Sequence, residues 1–265
     1  MDKGIKKPLQ SKQLMIGLPI YRSVSPAFLE NYMNFVSALQ DETKVQPIGI
    51  MKKSGDSLVS RQRNGMVACF LEHKEFTHYL QIDSDLYFNL EHVTTILDDM
   101  DKVDICSGLY PFKTPYGKVD FVLNRLDKGE HQDVIDEQLF QIKYAGTGFL
   151  CVARKVFEDI IEKFRDEIEY TVDNSKKTEH DIFRVGVCKF GDGSRRYLSE
   201  DYYFCEMARR CGYKVYVDGR LLLRHEGEIV YPTPQQEYHM NNSGNLVEKG
   251  RKPEANNCDN GILQS

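Results

Sequence analysis

Two carboxylates one residue apart, Asp83 and Asp85, end the apolar run Tyr79-Leu80-Gln81-Ile82, with Ser84 between them and Leu86-Tyr87-Phe88 after. A short apolar run with a polar flank reads as a buried strand, and carboxylates at its end are costly unless hydrogen-bonded or bound to a cation. Hard divalent ions, Mg²⁺ or Mn²⁺, take clustered carboxylate oxygens and commonly complete their shell with substrate phosphates. The triplet therefore points to a metal-diphosphate site. The plainer alternative is a solvated turn, because Asp and Ser are also favoured where strands end.

Further residues extend that chemistry. Asp85 could ligate the ion, and Asp83 could contact a ribose or a metal-bound water. His225, after the apolar run Leu221-Leu222-Leu223, could add a ligand from the other side of the sheet. An imidazole suits Mn²⁺ better than Mg²⁺, while a histidine bonded to a carbonyl is the structural alternative. Glu200 and Asp201 fall in the first turn of a helix capped by Ser199, where the helix dipole stabilises acids. The loop Gly191-Asp192-Gly193-Ser194 before them would place the pair beside a cleft, and a carboxylate of raised pKa there could serve as a base. Arg61, Arg63 and Asn64 lie on a predicted helix; Arg suits a diphosphate and Asn a base edge, or the cluster is solvated surface. Lys113 could neutralise phosphate or be a loop lysine. Gly146 and Gly148 could let a substrate approach the backbone, or mark a bulge.

These residues need a scaffold. Leu14 to Pro19 reads as a strand, Ser25-Pro26 as a helix start, and Phe28 to Leu39 as a helix. Val45 to Ile50 reads as a strand, Leu58 to Glu72 as a helix, and the carboxylate run as the next strand. This alternation predicts a doubly wound α/β sheet, in which ligands bind beyond the carboxyl ends of the strands. Pro19, Tyr21 and the Asp83-Ser84-Asp85 turn all fall at such ends. Later elements are a helix capped by Asn89, strands at Val103–Ser107, Val119–Leu123 and Phe149–Val152, and a helix from Lys155 to Arg165. A helix from Ser199 to Cys211 and a strand from Lys214 to Val217 follow. Asp127 to Glu137 reads as charged surface, and Asp166 to Lys189 as polar and irregular.

Composition narrows the class. The 265 residues carry 35 basic and 40 acidic side chains, a formal net charge of -5, which disfavours a nucleic-acid binder that works by phosphate neutralisation. No run of 18 apolar residues exists, and Met1 to Lys12 is charged without an apolar core behind it, so a cytoplasmic chain without a membrane span is expected. Seven scattered cysteines without a Cys-x-x-Cys pair predict buried free thiols. The domain reading is a flexible leader at 1–13, one domain at 14–233 and a polar, mobile tail at 234–265.

In order along the chain, Gly17-Leu18-Pro19-x-Tyr21, Arg63-Asn64, Asp83-Ser84-Asp85, Tyr110-Pro111-x-Lys113, Gly146-x-Gly148-Phe149-Leu150, Arg154-x-Val156-Phe157, Ser199-Glu200-Asp201-x-x-Phe204-Cys205 and His225-x-Gly227 resemble the GT-A fold glycosyltransferases. The resemblance is to family-2-like members of bacteria, phages and large viruses and spans about residues 14–228. It implies a Rossmann-like, mostly parallel central sheet flanked by helices. It further implies a nucleotide-diphospho-sugar donor held by Pro19, Tyr21, Arg63, Asn64, Asp83, Ser84, Lys113, Gly146 and Gly148. A Mn²⁺ or Mg²⁺ ion would sit on Asp85 and His225 with Asp83 near the metal or ribose. Asp201, with Glu200 beside it, would be the acceptor-side base of an inverting transfer to a glycan, lipid, protein or modified nucleobase. The chain departs from the pattern in having no tryptophan to stack an acceptor sugar, and residues 166–189 match no motif.

Two other functions compete. A nucleotide-sugar-binding module without turnover would leave Glu200 and Asp201 without a chemical task. An aspartyl-phosphate phosphatase also places Asp-x-Asp after a strand, but on the first strand of its domain, and with Thr or Val where this chain has Tyr87.

Overall fold

The strand Leu14–Ile20 is buried almost throughout because it has a neighbour on each side, which explains its unbroken apolar sequence. Gly17 in its middle leaves room for the Tyr79 ring, whose hydroxyl would lie 2.0 Å from an added Cβ. The computed structural model describes residues 12–21, 23–39, 48–113, 120–135, 137–173, 175–227, 230–231, 238–240 and 246–248. Seven strands form the central sheet in the spatial order Ile48–Ser54, Leu14–Ile20, His78–Ile82, Phe149–Ala153, Ile105–Leu109, Val215–Leu222 and Leu139–Ile142. Five run in one direction; Phe149–Ala153 and Leu139–Ile142 run against them. Helices α1 (Pro26–Leu39), α2 (Val59–Glu72), α3 (Leu90–Asp99), α4 (Arg154–Ile168) and α5 (Glu200–Arg210) flank it. The chain is thus a mixed α/β fold with a mostly parallel central sheet.

Local signals explain the helix boundaries. Ser25 Oγ accepts from the Phe28 N–H at 2.9 Å and starts α1. Asn89 caps α3 in a reciprocal arrangement with His92. Gly212, at φ 94°, turns the chain out of α5. Arg154 opens α4 by donating to the carbonyls of Phe70, His73 and Phe76 at 2.6–2.8 Å while its guanidinium lies 4.3 Å from the centre of the Phe70 ring. The ends of α2 and α4 are therefore locked together.

Several elements differ from their sequence reading. The second strand is Ile48–Ser54 rather than Val45–Ile50, and residues 45–47 lie outside the described residues. It carries Lys52 and Lys53 because it is a sheet edge, where lysines are tolerated. The strand Ile105–Leu109 runs two residues later than expected, and α4 continues to Ile168. Leu139–Ile142, fully buried at the opposite edge, went unread because it follows a charged loop. Residues 166–189 are not irregular. Glu169–Thr171 pairs with Thr178–His180, and Gly186–Lys189 pairs with Arg195–Leu198. These ribbons are too short and too exposed to show a clear alternation, but buried Ile182 and Phe183 pin them, Phe183 stacking on Phe204 at 5.0 Å.

One apolar core runs from Leu14 to Leu223. The six described cysteines are free, and four of them are buried. Nearly all of the expected leader and tail lies outside the described residues; within the tail, Tyr238–Met240 pairs with Leu246–Glu248.

Candidate active site

The parallel strands deliver Ile20, Ser54, Ile82 and Leu109 to one rim of the sheet. There a cleft of about 160 Å³ is lined by Pro19, Tyr21, Asp56, Gln62, Arg63 and the Asp83-Ser84-Asp85 turn. The turn hangs from the reversed strand beside it: the Asp83 N–H donates to the Gly148 carbonyl at 2.8 Å. The Glu226 N–H donates to the Asp85 carbonyl at 2.7 Å, and Arg224–Glu226 pairs with Leu86–Tyr87. This pairing carries His225 across to Asp85.

Asp83 and Asp85 have different partners. Arg63 grips Asp83 with both terminal nitrogens, at 2.8 and 3.1 Å, and its Nε lies 3.6 Å from Glu200. Only 3% of Arg63 is exposed, so the guanidinium is an internal counter-charge and not solvated surface. Asp85 Oδ2 faces Lys113 Nζ at 2.5 Å and His225 Nε2 at 3.5 Å, whereas Asp85 Oδ1 is buried with no hydrogen-bond partner among the described residues. Burial would raise the Asp85 carboxyl, but hydrogen bonds from His225 and Lys113 outweigh it and hold it at about 2.

The ring orientation of His225 follows from its other contact. Nδ1 lies 2.8 Å from the Pro111 carbonyl, which only accepts, so Nδ1 donates there and Nε2 faces Asp85. Metal-ligating histidines are commonly oriented in this way, by an N–H given to a carbonyl. Among the described residues no group of three or more His, Cys, Asp or Glu is placed to hold an ion. The expected set Asp83, Asp85 and His225 is therefore not assembled as three ligands, because Asp83 turns to Arg63. Asp85 and His225, with the orphaned Oδ1 between burial and cleft, are the residues that could hold a cation.

Across Arg63 stands the start of α5. The Asp201 Oδ1 accepts from the Tyr202 N–H at 2.8 Å and from the Ser199 hydroxyl, leaving Oδ2 without a partner among the described residues. Burial pushes the Asp201 carboxyl up, against the Ser199 hydrogen bond and together with the charge of Glu200. A carboxylate so raised is better matched to proton transfer near neutral pH.

Other expected residues serve the protein itself. The Asn64 amide donates to Asp181 at 2.8 Å and accepts from the Phe183 N–H at 2.8 Å, so it holds the 181–183 segment against α2. Gly146 and Gly148 make space for Tyr110: an added Cβ would meet its hydroxyl at 2.1 Å and its ring at 2.8 Å respectively. Their backbones are engaged inside the fold as well, since the Gly148 N–H donates to Tyr110 Oη at 2.9 Å. Lys113 pairs with Asp85, and exposed Arg61 grips half-buried Asp56 at 2.6 and 2.7 Å, holding that carboxyl at about 2.

Three contributors escaped the sequence reading. Tyr110 packs edge-on against His225 at 5.4 Å, and its only signal was its place before Pro111 and Lys113. Gln62 ties the Ile20 and Asp56 carbonyls together at 3.2 and 2.9 Å. Asp56 joins the cleft wall, and a lone acid after Gly55 gave no warning of it.

No family model and no curated protein sequence matches the chain. Among solved structures it is similar to A197 from STIV, at 15% identity over 92% of this chain and 97% of that one, with a TM-score of 0.48. It is also similar to a glycosyltransferase involved in the glycosylation of the major capsid of PBCV-1, at 14% identity over 58% and 67% of the two chains and a TM-score of 0.31. A putative nucleotide-diphospho-sugar transferase from Desulfovibrio desulfuricans G20 shares 12% identity over 78% and 80%, with a TM-score of 0.36. At these identities and TM-scores none of them assigns an activity to this chain. Among the described residues no helix is long and apolar enough to cross a membrane.

Proposed function

We propose that the chain is a GT-A-type glycosyltransferase that moves a sugar from a nucleotide-diphospho-sugar to an acceptor hydroxyl with inversion. The observation that supports this most is the bridge through Arg63. One buried guanidinium ties the strand-end carboxylate Asp83 to Glu200 at the head of the helix that carries Asp201. A leaving-group site and a base site thereby share one rim of the sheet.

In this reading the donor lies along Pro19, Tyr21 and Ser84, with Asp83 near the ribose. Asp201 Oδ2 takes the acceptor proton as the acceptor oxygen bonds to the anomeric carbon, and the bond from that carbon to the diphosphate breaks. Lys113 neutralises charge on the departing phosphate. A divalent ion held by Asp85 and His225, Mn²⁺ more readily than Mg²⁺ given the imidazole, would supply Lewis-acid stabilisation to the same leaving group. A binding module without turnover would have no use for a raised carboxyl at the head of α5.

The test is a screen of nucleotide sugars for thermal stabilisation and slow donor hydrolysis, with and without Mn²⁺, followed by NMR of the product's anomeric configuration. Release of phosphate from generic phosphoesters through a trapped aspartyl intermediate would overturn the reading.

A further inference from the structure

The ribbon that leads into α5 has two chemically different faces. Gly186–Lys189 pairs with Arg195–Leu198 so that Val187 stands opposite Tyr197, and Lys189 opposite Arg195. Cys188 and Leu198 point inward and are buried. Side chains alternate along a strand, so Val187 and Lys189 share the outer face with Arg195 and Tyr197, and exposed Val185 lies just before them in the chain. Tyr197 is 73% exposed, Val187 50% and Val185 44%. None of these five exposed positions is acidic, although the whole chain carries a net charge of -5.

Two features of this face need a partner. Like charges directly opposite each other across a ribbon are destabilising, and neither Lys189 nor Arg195 has an ion-pair partner for its side chain among the described residues. Three apolar side chains lie open beside them. An anion alone would answer the first feature and leave the second. Valine side chains gain little from a hydrated sugar but gain from acyl chains just below a headgroup layer, and an exposed tyrosine between valines and cations matches the composition of interfacial anchors.

We propose that the outer face of the 186–198 ribbon docks on an anionic lipid surface, and that the acceptor served by Asp201 is presented from that surface. The acceptor half of this statement rests on the transferase reading; the docking half does not. Tyr197 and Asp201 are four residues apart, at most about 14 Å of chain, so a surface that seats Tyr197 brings its headgroup layer within reach of the base.

The experiment uses the full chain and vesicles of phosphatidylcholine alone or mixed with phosphatidylglycerol, in low and high salt, without donor or acceptor. Because the chain has no tryptophan, Tyr197→Trp supplies a single tryptophan, excited selectively over the tyrosines and placed on the proposed contact. Expected are co-sedimentation with the anionic vesicles only, weakening with salt, and a blue shift of Tyr197→Trp with quenching by brominated acyl chains. The double variant Lys189→Glu, Arg195→Glu should lose vesicle affinity about tenfold or more while keeping its thermal melting point and donor hydrolysis. No binding of the native chain to anionic vesicles, or binding that the double variant retains, overturns the docking. So does binding to a soluble polyanion such as heparin without vesicle binding. Failure here leaves donor hydrolysis intact, whereas failure of the transferase reading abolishes hydrolysis and leaves vesicle binding unchanged.

Discussion

Arg63 and Asp83 form a two-pronged ion pair in which the guanidinium is almost wholly buried and the carboxylate still reaches the cleft. Removing the carboxylate would strand a buried cation whose remaining ion-pair partner among the described residues is Glu200, 3.6 Å away. Asp83→Ala should therefore destabilise the fold by about 2–3 kcal/mol, less than for a fully buried pair because the Asp83 side chain keeps 29% exposure. Arg63→Lys should recover little, since a lysine lacks the planar fork. Urea denaturation of the three proteins checks the order.

Asp85 and His225 make a different prediction. His225→Ala or Asp85→Asn should weaken Mn²⁺ binding, read by calorimetry, by about tenfold to a hundredfold, and should remove metal-dependent turnover without shifting the melting point much. Wild-type-like metal dependence in Asp85→Asn would remove it from that role.

Asp201 should govern the acid limb of the pH profile. A base works only when deprotonated, and burial raises this carboxyl, so kcat/KM should rise through a pKa above the ordinary Asp value of about 4. Asp201→Asn should lower turnover by about 10²–10⁴-fold while nucleotide-sugar binding persists. A pH-rate series with donor binding measured alongside separates the two effects.

Outside the cleft lining, Asp99 and Asp218 are both buried beside Arg220, which bonds them at 2.9 Å and 2.5 Å. Burial, and then the neighbouring Asp218, push the Asp99 carboxyl up to about 8 despite that cation. The folded chain thus holds a proton that the unfolded chain releases near its ordinary value of 3.8. The sign follows: this contribution is fully present below pH 4 and is lost as pH rises towards about 8. Asp99→Asn, neutral at every pH, should flatten the fall in stability between pH 5 and 8 seen in urea titrations.

Tyr110 accounts for two glycines, and a paired substitution tests this. Gly146→Ala places a methyl against the Tyr110 hydroxyl, whereas Gly148→Ala meets the ring and Leu86. Each should cost about 1–3 kcal/mol. Adding Tyr110→Phe should relieve the first and not the second, measured as coupling in a double-mutant cycle.

What could be read beforehand follows a physical divide. The Asp83-Ser84-Asp85 turn, the Ser25 and Asn89 caps and the Gly212 stop are local, so neighbouring residues announced them. The pairing of His225 with Asp85 was reachable because both end apolar runs. By contrast, Asn64 looked like a ligand contact because nothing near it in sequence reveals that its amide is committed to Asp181 and Phe183. Arg63 read as a diphosphate contact or solvated surface because its partners, Asp83 and Glu200, are remote in sequence. The ribbons between residues 169 and 198 hid because three- and four-residue strands show almost no period.

The reversed strand Phe149–Ala153 at the centre of the sheet has a kinetic consequence. Its partners are His78–Ile82 and Ile105–Leu109, and the latter also pairs with Val215–Leu222, so the part of the rim beyond His78–Ile82 depends on closing a long loop. Such topologies fold slowly, since chain entropy is lost before the contacts repay it. The cleft lining from Pro19 to Asp85 comes early in the polypeptide, whereas the head of α5 and His225 come late. Ligand capture should therefore emerge only late in synthesis, once His225 has left the ribosome.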